Sequence, residues 1–125
     1  MAARRSVPFS GDPAKLLDGI LADIDRIERF TQGIDHSTFD EDDQVAYAVK
    51  YALLRISEAA HRLGDTAAEL CPNVGWRDIR GLGNRLRHAY DSIDIGLIWI
   101  IVEKDLSPLK TATQAALVKL RSEQA

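Results

Sequence analysis

The sequence predicts an all-α protein, an up-and-down bundle of four to five helices. Three observations point there. Apolar residues recur at spacings of three and four over several stretches, proline and glycine punctuate those stretches at their ends, and no segment alternates apolar and polar residues for long.

The first helix is signalled by Asp12-Pro13, an N-cap followed by proline at the first helical position. Leu16, Leu17, Ile20, Ile24 and Ile27 then make one apolar stripe that runs to about Thr31, and Gly33 ends it. "DHSTFDEDD" reads as an acidic, turn-rich loop whose aspartates favour the N-terminus of the next helix. In that helix Val45, Ala48, Val49, Ala52, Leu53, Ile56, Ala59, Ala60 and Leu63 form a broad face. Its many alanines allow another helix to approach closely. Gly64-Asp65 stops it, a short helical piece follows around Thr66 to Leu70, and Pro72 and Gly75 break the chain again. Trp76 opens a helix that reaches about His88. "DSID" offers a new N-cap at Asp91 or Ser92 ahead of the apolar run "IGLIWIIV". A segment apolar nearly all round is expected to be central or part of a subunit interface. Ser107-Pro108 is expected to start a last helix, with Leu109, Ala112, Ala116, Leu117 and Leu120 facing inward.

At 125 residues the chain fits one domain, read as an N-terminal arm over 1–12 and a helical domain over 13–121. The arm starts with two arginines but has no apolar core after them, so it is not read as a secretory signal. The run Ile95 to Val102 is far shorter than the roughly 20 residues a membrane helix needs. Cys71 is the only cysteine, which leaves no intrachain disulfide or thiolate metal site and suits a reducing cytoplasm. The net charge of −3 argues against general attraction to nucleic-acid backbone, so any such contact must come from a local patch.

Such a patch exists in "RDIRGLGNRLRHAY". Arg77, Arg80, Arg85 and Arg87 stand there against Asp78 alone. With each helical residue turning about 100°, Asn84 and Arg85 lie one turn before His88 on its face. Arginine grips phosphate oxygens with a planar fork, histidine exchanges a proton near neutral pH, and asparagine can orient either. RNA brings its own nucleophile, the 2′-hydroxyl, so this trio could cleave a phosphodiester without a metal or other cofactor. One histidine per chain is limiting for a reaction that wants both acid and base, and a symmetric dimer would supply two. The plainer alternatives stand beside this: arginines solvated or paired with the acidic "DEDD", a structural histidine, and Tyr90 as a half-buried packing residue. His36 reads as solvent-facing, and Glu58 with His61 as an i, i+3 surface pair.

The segment "WRDIRGLGNRLRHAYDSIDIGLIWIIVEKDLSPLK" resembles the C-terminal half of the HepT-like family within the HEPN superfamily. The family pattern falls on Trp76, Ile79, Asn84, His88, Tyr90, Asp94, Trp99, Asp105, Leu106 and Leu109, and "RISEAAHRL" is similar to its Gly-Glu-Ala helix at Ser57, Glu58 and Ala59. The likeness covers roughly residues 13 to 115. It implies a HEPN-like helical homodimer and a metal-independent endoribonuclease, the toxin of a toxin–antitoxin pair. It also implies a small nucleotidyltransferase partner (MntA-like) that silences the toxin by adenylylating the motif tyrosine. By position His88 is the acid/base, Asn84 shapes the site and Tyr90 is the AMP acceptor. One departure from the pattern matters: where the family has an arginine directly before the asparagine, this chain has Gly83. Arg80 or Arg85 is then expected to supply the phosphate-gripping cation. The alternative is a HEPN module that binds the nucleotidyltransferase or a nucleotide without cutting.

Overall fold

The computed structural model describes residues 12–88 and 94–124. Its elements are α1 (Pro13–Phe30), α2 (His36–Glu41), α3 (Asp43–Leu63), α4 (Asp65–Leu70), α5 (Trp76–His88), α6 (Ile95–Ile100) and α7 (Leu106–Gln124), with a π-helical turn over Ile101–Asp105 joining the last two. Among the described residues there is no strand, and no helix is long and apolar enough to cross a membrane. The all-α bundle expected from the spacing is what forms.

Local signals set most boundaries. The Asp12 carboxylate accepts the Ala14 N–H at 3.0 Å, with proline at the start of α1. Asp42 accepts the Val45 N–H at 3.1 Å and so caps α3. Gly64 ends α3 at φ +56°, a backbone conformation that residues with a Cβ rarely adopt.

Three expectations are corrected. "DHSTFDEDD" is not a loop throughout: His36–Glu41 forms α2, capped by the Asp35 side chain on the Thr38 N–H at 2.9 Å. Phe39 is its buried anchor, 5.1 Å from the ring of Trp99, and His36 stacks on the same indole at 6.0 Å. Second, the N-cap of α6 is Asp94, which accepts the Gly96 N–H at 2.9 Å; Asp91 and Ser92 lie outside the described residues. Third, Ser107-Pro108 does not start a separate helix, because α7 continues from α6 through the π turn. Proline has no N–H to give the carbonyl four residues back and its ring crowds that carbonyl. The wider turn lies immediately there and absorbs both. The arm over 1–12 falls outside the described residues except for Asp12.

The long helix α3 is the centre of the molecule, packing on α1 along one side and on α5 along the other, while α7 lies against α1. Leu17, Ile20, Ile24 and Ile27 meet Val49, Ala52, Leu53 and Ile56 in the core. The run "IGLIWIIV" buries Ile98 and Trp99 but leaves Ile100 half exposed.

Candidate functional site on the exposed face of α5

Helix α5 has two edges with different duties. Trp76, Gly83 and Leu86 are buried, with the Trp76 indole N–H donating to the Cys71 carbonyl at 3.0 Å. Gly81, Asn84, Arg85 and His88 are exposed and share the opposite face, as the helical repeat requires. Arg80 and Arg87 stand at the flank toward α3.

Gly83 explains how closely α5 approaches α3. A Cβ built there would lie 1.9 Å from Ser57 Oγ and 2.4 Å from Ser57 Cβ. No side chain fits at position 83 while Ser57 stands opposite, and Ser57 itself donates to the Arg80 carbonyl at 3.3 Å. Ser57, where the family pattern has glycine, and Gly83, where it has arginine, therefore face each other across one helix contact.

The four arginines divide by partner. Arg80 donates from Nε to the Ala60 carbonyl at 3.1 Å and from Nη2 to the Gly64 carbonyl at 2.8 Å, closing the C-terminus of α3. Each of these carbonyls also accepts a backbone N–H, Ala60 from Gly64 at 3.3 Å and Gly64 from Ala67 at 3.2 Å, so Arg80 adds a second donor to both. Arg87 bridges from Nη1 to the Glu58 carboxylate on α3 and from Nη2 to Asn84 Oδ1 at 3.0 Å. Arg85, Arg77 and His88 carry no side-chain partner among the described residues. Neither "DEDD" nor His61 supplies the pairing expected of it. The one described salt bridge of α5 goes to Glu58, and His61 is exposed and makes no contact with that carboxylate among the described residues. Tyr90 lies outside the described residues.

The structure thus brings Asn84, Arg85 and His88 together on one exposed face and puts Arg80 to use at the end of α3. Sequence reasoning missed Arg87 and Glu58 as a pair. It also missed Asp23, whose buried carboxylate receives Arg26 at 2.8 Å and Arg55 at 3.1 Å. That hydrogen bond, with the carboxylate charge, holds the Arg55 guanidinium above its ordinary pKa. An aspartate on the stripe of Ile20, Ile24 and Ile27 was the available signal for it.

Comparison with known proteins identifies the family. A family model described as "Ribonuclease HepT-like" matches residues 20–116, the segment that carries α3, α5 and the exposed trio. The chain belongs to the HepT-like family. "Putative RNase MJ1380" of Methanocaldococcus jannaschii is 36% identical over 79% of this chain and 91% of its own length. "Probable ribonuclease HepT" of Thermococcus cleftensis is 33% identical over 75% of this chain and 86% of its own. "Putative RNase TTE0752" of Caldanaerobacter subterraneus is 26% identical over 86% and 96% respectively. No solved structure matches.

Proposed function

We propose that this HepT-like protein is an endoribonuclease whose reaction is carried on the exposed face of α5. The observation that supports it most is that His88, Asn84 and Arg85 are all exposed on that one helical face, in a chain whose relatives bear ribonuclease names. His88 removes the proton from an RNA 2′-hydroxyl. The oxygen attacks the adjacent phosphorus, the bond to the 5′-oxygen breaks, and a 2′,3′-cyclic phosphate and a 5′-hydroxyl result. Arg85 binds the phosphate as charge develops, Asn84 orients the histidine or the phosphate, and a second His88 from a homodimer protonates the leaving oxygen. Arg80 contributes by fixing α5 on α3. In this reading the protein is the toxin of a toxin–antitoxin pair, and a nucleotidyltransferase silences it by transferring AMP to Tyr90.

One observation favours a second reading. With position 83 closed by Ser57, the family's arginine cannot stand there, and a lost phosphate donor can be worth about 10²–10³ in rate. The alternative is a non-cleaving module that binds the nucleotidyltransferase. Incubating the protein with 5′-labelled single-stranded RNA in chelator, beside His88→Ala, decides between them. Cyclic-phosphate ends from the parent alone support the nuclease. No cleavage by either, with a stable complex to the partner, supports the module.

A further inference from the structure

We infer that Arg87 is a phosphate-binding residue of this site, and that in the free protein the Glu58 carboxylate occupies its fork in place of an RNA phosphate. The inference rests on the reading of α5 as an RNA-cleaving surface.

Three observations carry it. The first is where the guanidinium lies. Arg87 Nη1 is 3.7 Å from the point a Cβ at position 83 would occupy, so the group spreads over the bare backbone of Gly83. A longer residue at position 83 would displace it. The absence of a side chain there makes room for a cation supplied from one turn further along.

The second is its link to the trio. Arg87 Nη2 donates to Asn84 Oδ1 at 3.0 Å. Asn84 stands one turn before His88 and, at about 100° per residue, lies between Arg87 and His88 around the helix. The guanidinium is thus joined to the exposed trio through a side chain already in it.

The third is the nature of its other partner. Glu58 is a carboxylate, half exposed, reaching Arg87 from the facing helix α3. Carboxylate and phosphate oxygens present the same acceptors to an arginine fork. An exposed ion pair of this kind contributes only about 0–1 kcal/mol, so an incoming phosphate can displace it. Asn84 then keeps the guanidinium in place while its acidic partner is exchanged. Arg85, with no side-chain partner among the described residues, offers a second cation on the same face, whereas Arg87 is held in one geometry before substrate arrives, which lowers the ordering cost of binding. Arg80 has no such capacity, since two of its donors are bound to the Ala60 and Gly64 carbonyls at the end of α3.

The test measures affinity of full-length protein for a single-stranded RNA by fluorescence anisotropy, in an His88→Ala background so that no substrate is consumed. Arg87→Gln is expected to weaken binding several-fold and to flatten the slope of log affinity against log salt by about 0.7, one single-strand phosphate contact. Glu58→Gln, which keeps the shape and removes the charge, is expected to tighten binding several-fold. Circular dichroism melts confirm that each variant is folded at the assay temperature. If Arg87→Gln leaves both affinity and salt slope unchanged, or if Glu58→Gln weakens binding as much as Arg87→Gln does, the pair is only a strut between α3 and α5 and the inference is overturned. Cleavage by the protein with intact His88 is followed in parallel. If cleavage persists and depends on His88 while Arg87→Gln binds normally, the inference fails alone. If the parent neither binds nor cleaves RNA, the reading of the surface fails and the inference with it.

Discussion

Gly83→Ala offers the sharpest test of how α5 is seated. The new Cβ would stand 1.9 Å from Ser57 Oγ and 2.4 Å from Ser57 Cβ. Rotating the serine moves its oxygen, but Ser57 Cβ is fixed to the backbone of α3 and remains in the way. Relief requires α5 to back away from α3 by about 1 Å, which in turn stretches the Arg80 bonds to Ala60 and Gly64. Overpacking a tight contact costs about 1–3 kcal/mol, and this case belongs at the upper end because no rotamer relieves it. Alanine returns about 1 kcal/mol of helix propensity over glycine. The expected net loss is about 2 kcal/mol, or roughly 8 °C in Tm for a domain of this size. Ser57→Gly removes both obstructing atoms, so in that background the alanine should only return its helix propensity, with a coupling of about 3 kcal/mol across the cycle. Urea unfolding followed by far-UV circular dichroism measures all four proteins. Should Gly83→Ala match or exceed the parent in stability, or should the coupling fall within about 0.5 kcal/mol of zero, the close helix contact is not what position 83 serves.

Gly81→Ala, two residues earlier on the exposed face with nothing within 4 Å of the added Cβ, should instead stabilise the protein by about 0.8–1 kcal/mol in the same urea assay. Arg80→Met should cost about 1–2 kcal/mol through the lost bonds to the end of α3, while His88-dependent cleavage, measured below the variant's melting temperature, stays near the parent's. Burial pushes the Cys71 thiol above its ordinary value of 9.0, so the unfolded chain releases that proton first and stability should fall as pH climbs past 9. The same burial should make Cys71 react with a thiol reagent only as the protein unfolds, which labelling across a urea series reads directly. Hydrogen bonding from Thr38 holds the Asp35 carboxylate below its ordinary value of 3.8, so its support of α2 is present above that pH and is lost as pH falls through the lowered value. An Asp35→Ala variant should show a weaker loss of structure between neutral and acid pH than the parent.

What was legible in the sequence followed from short-range rules. Asp12-Pro13, the apolar stripe of α1 and the Gly64 stop each act within a turn or two of helix, and each forms as the residues dictate. Asn84, Arg85 and His88 share a face because the helical repeat alone places them there. The misread elements depend on contacts far away in the chain. Six residues hold α2 because Phe39 and His36 meet Trp99, which lies some 60 positions later. Pro108 sits inside a continuous helix because a π turn absorbs it, and no local signal announces such a turn. Arg80 looked like a free cation because the carbonyls it caps belong to another helix. The pairing of Arg87 with Glu58 was hidden for the same reason, and also because it depends on the bare backbone at Gly83.

On the proposed reading, stability and chemistry meet on α5 without occupying the same residues. Its inner edge, Trp76, Gly83 and Leu86, sets how near the helix stands to α3, and Arg80 ties that distance to the end of α3. Its outer face carries Asn84, Arg85 and His88, which are spared from packing. Arg87 is the residue that belongs to both, because its partners are one side chain of the outer face and one carboxylate of α3. A change in the α3–α5 spacing would therefore be felt at Arg87 before it is felt at His88. Loosening the contact by overpacking position 83 should weaken RNA binding through the displaced guanidinium even where the histidine keeps its exposure. Filling Gly81, on the face away from α3, should raise stability and leave that binding alone.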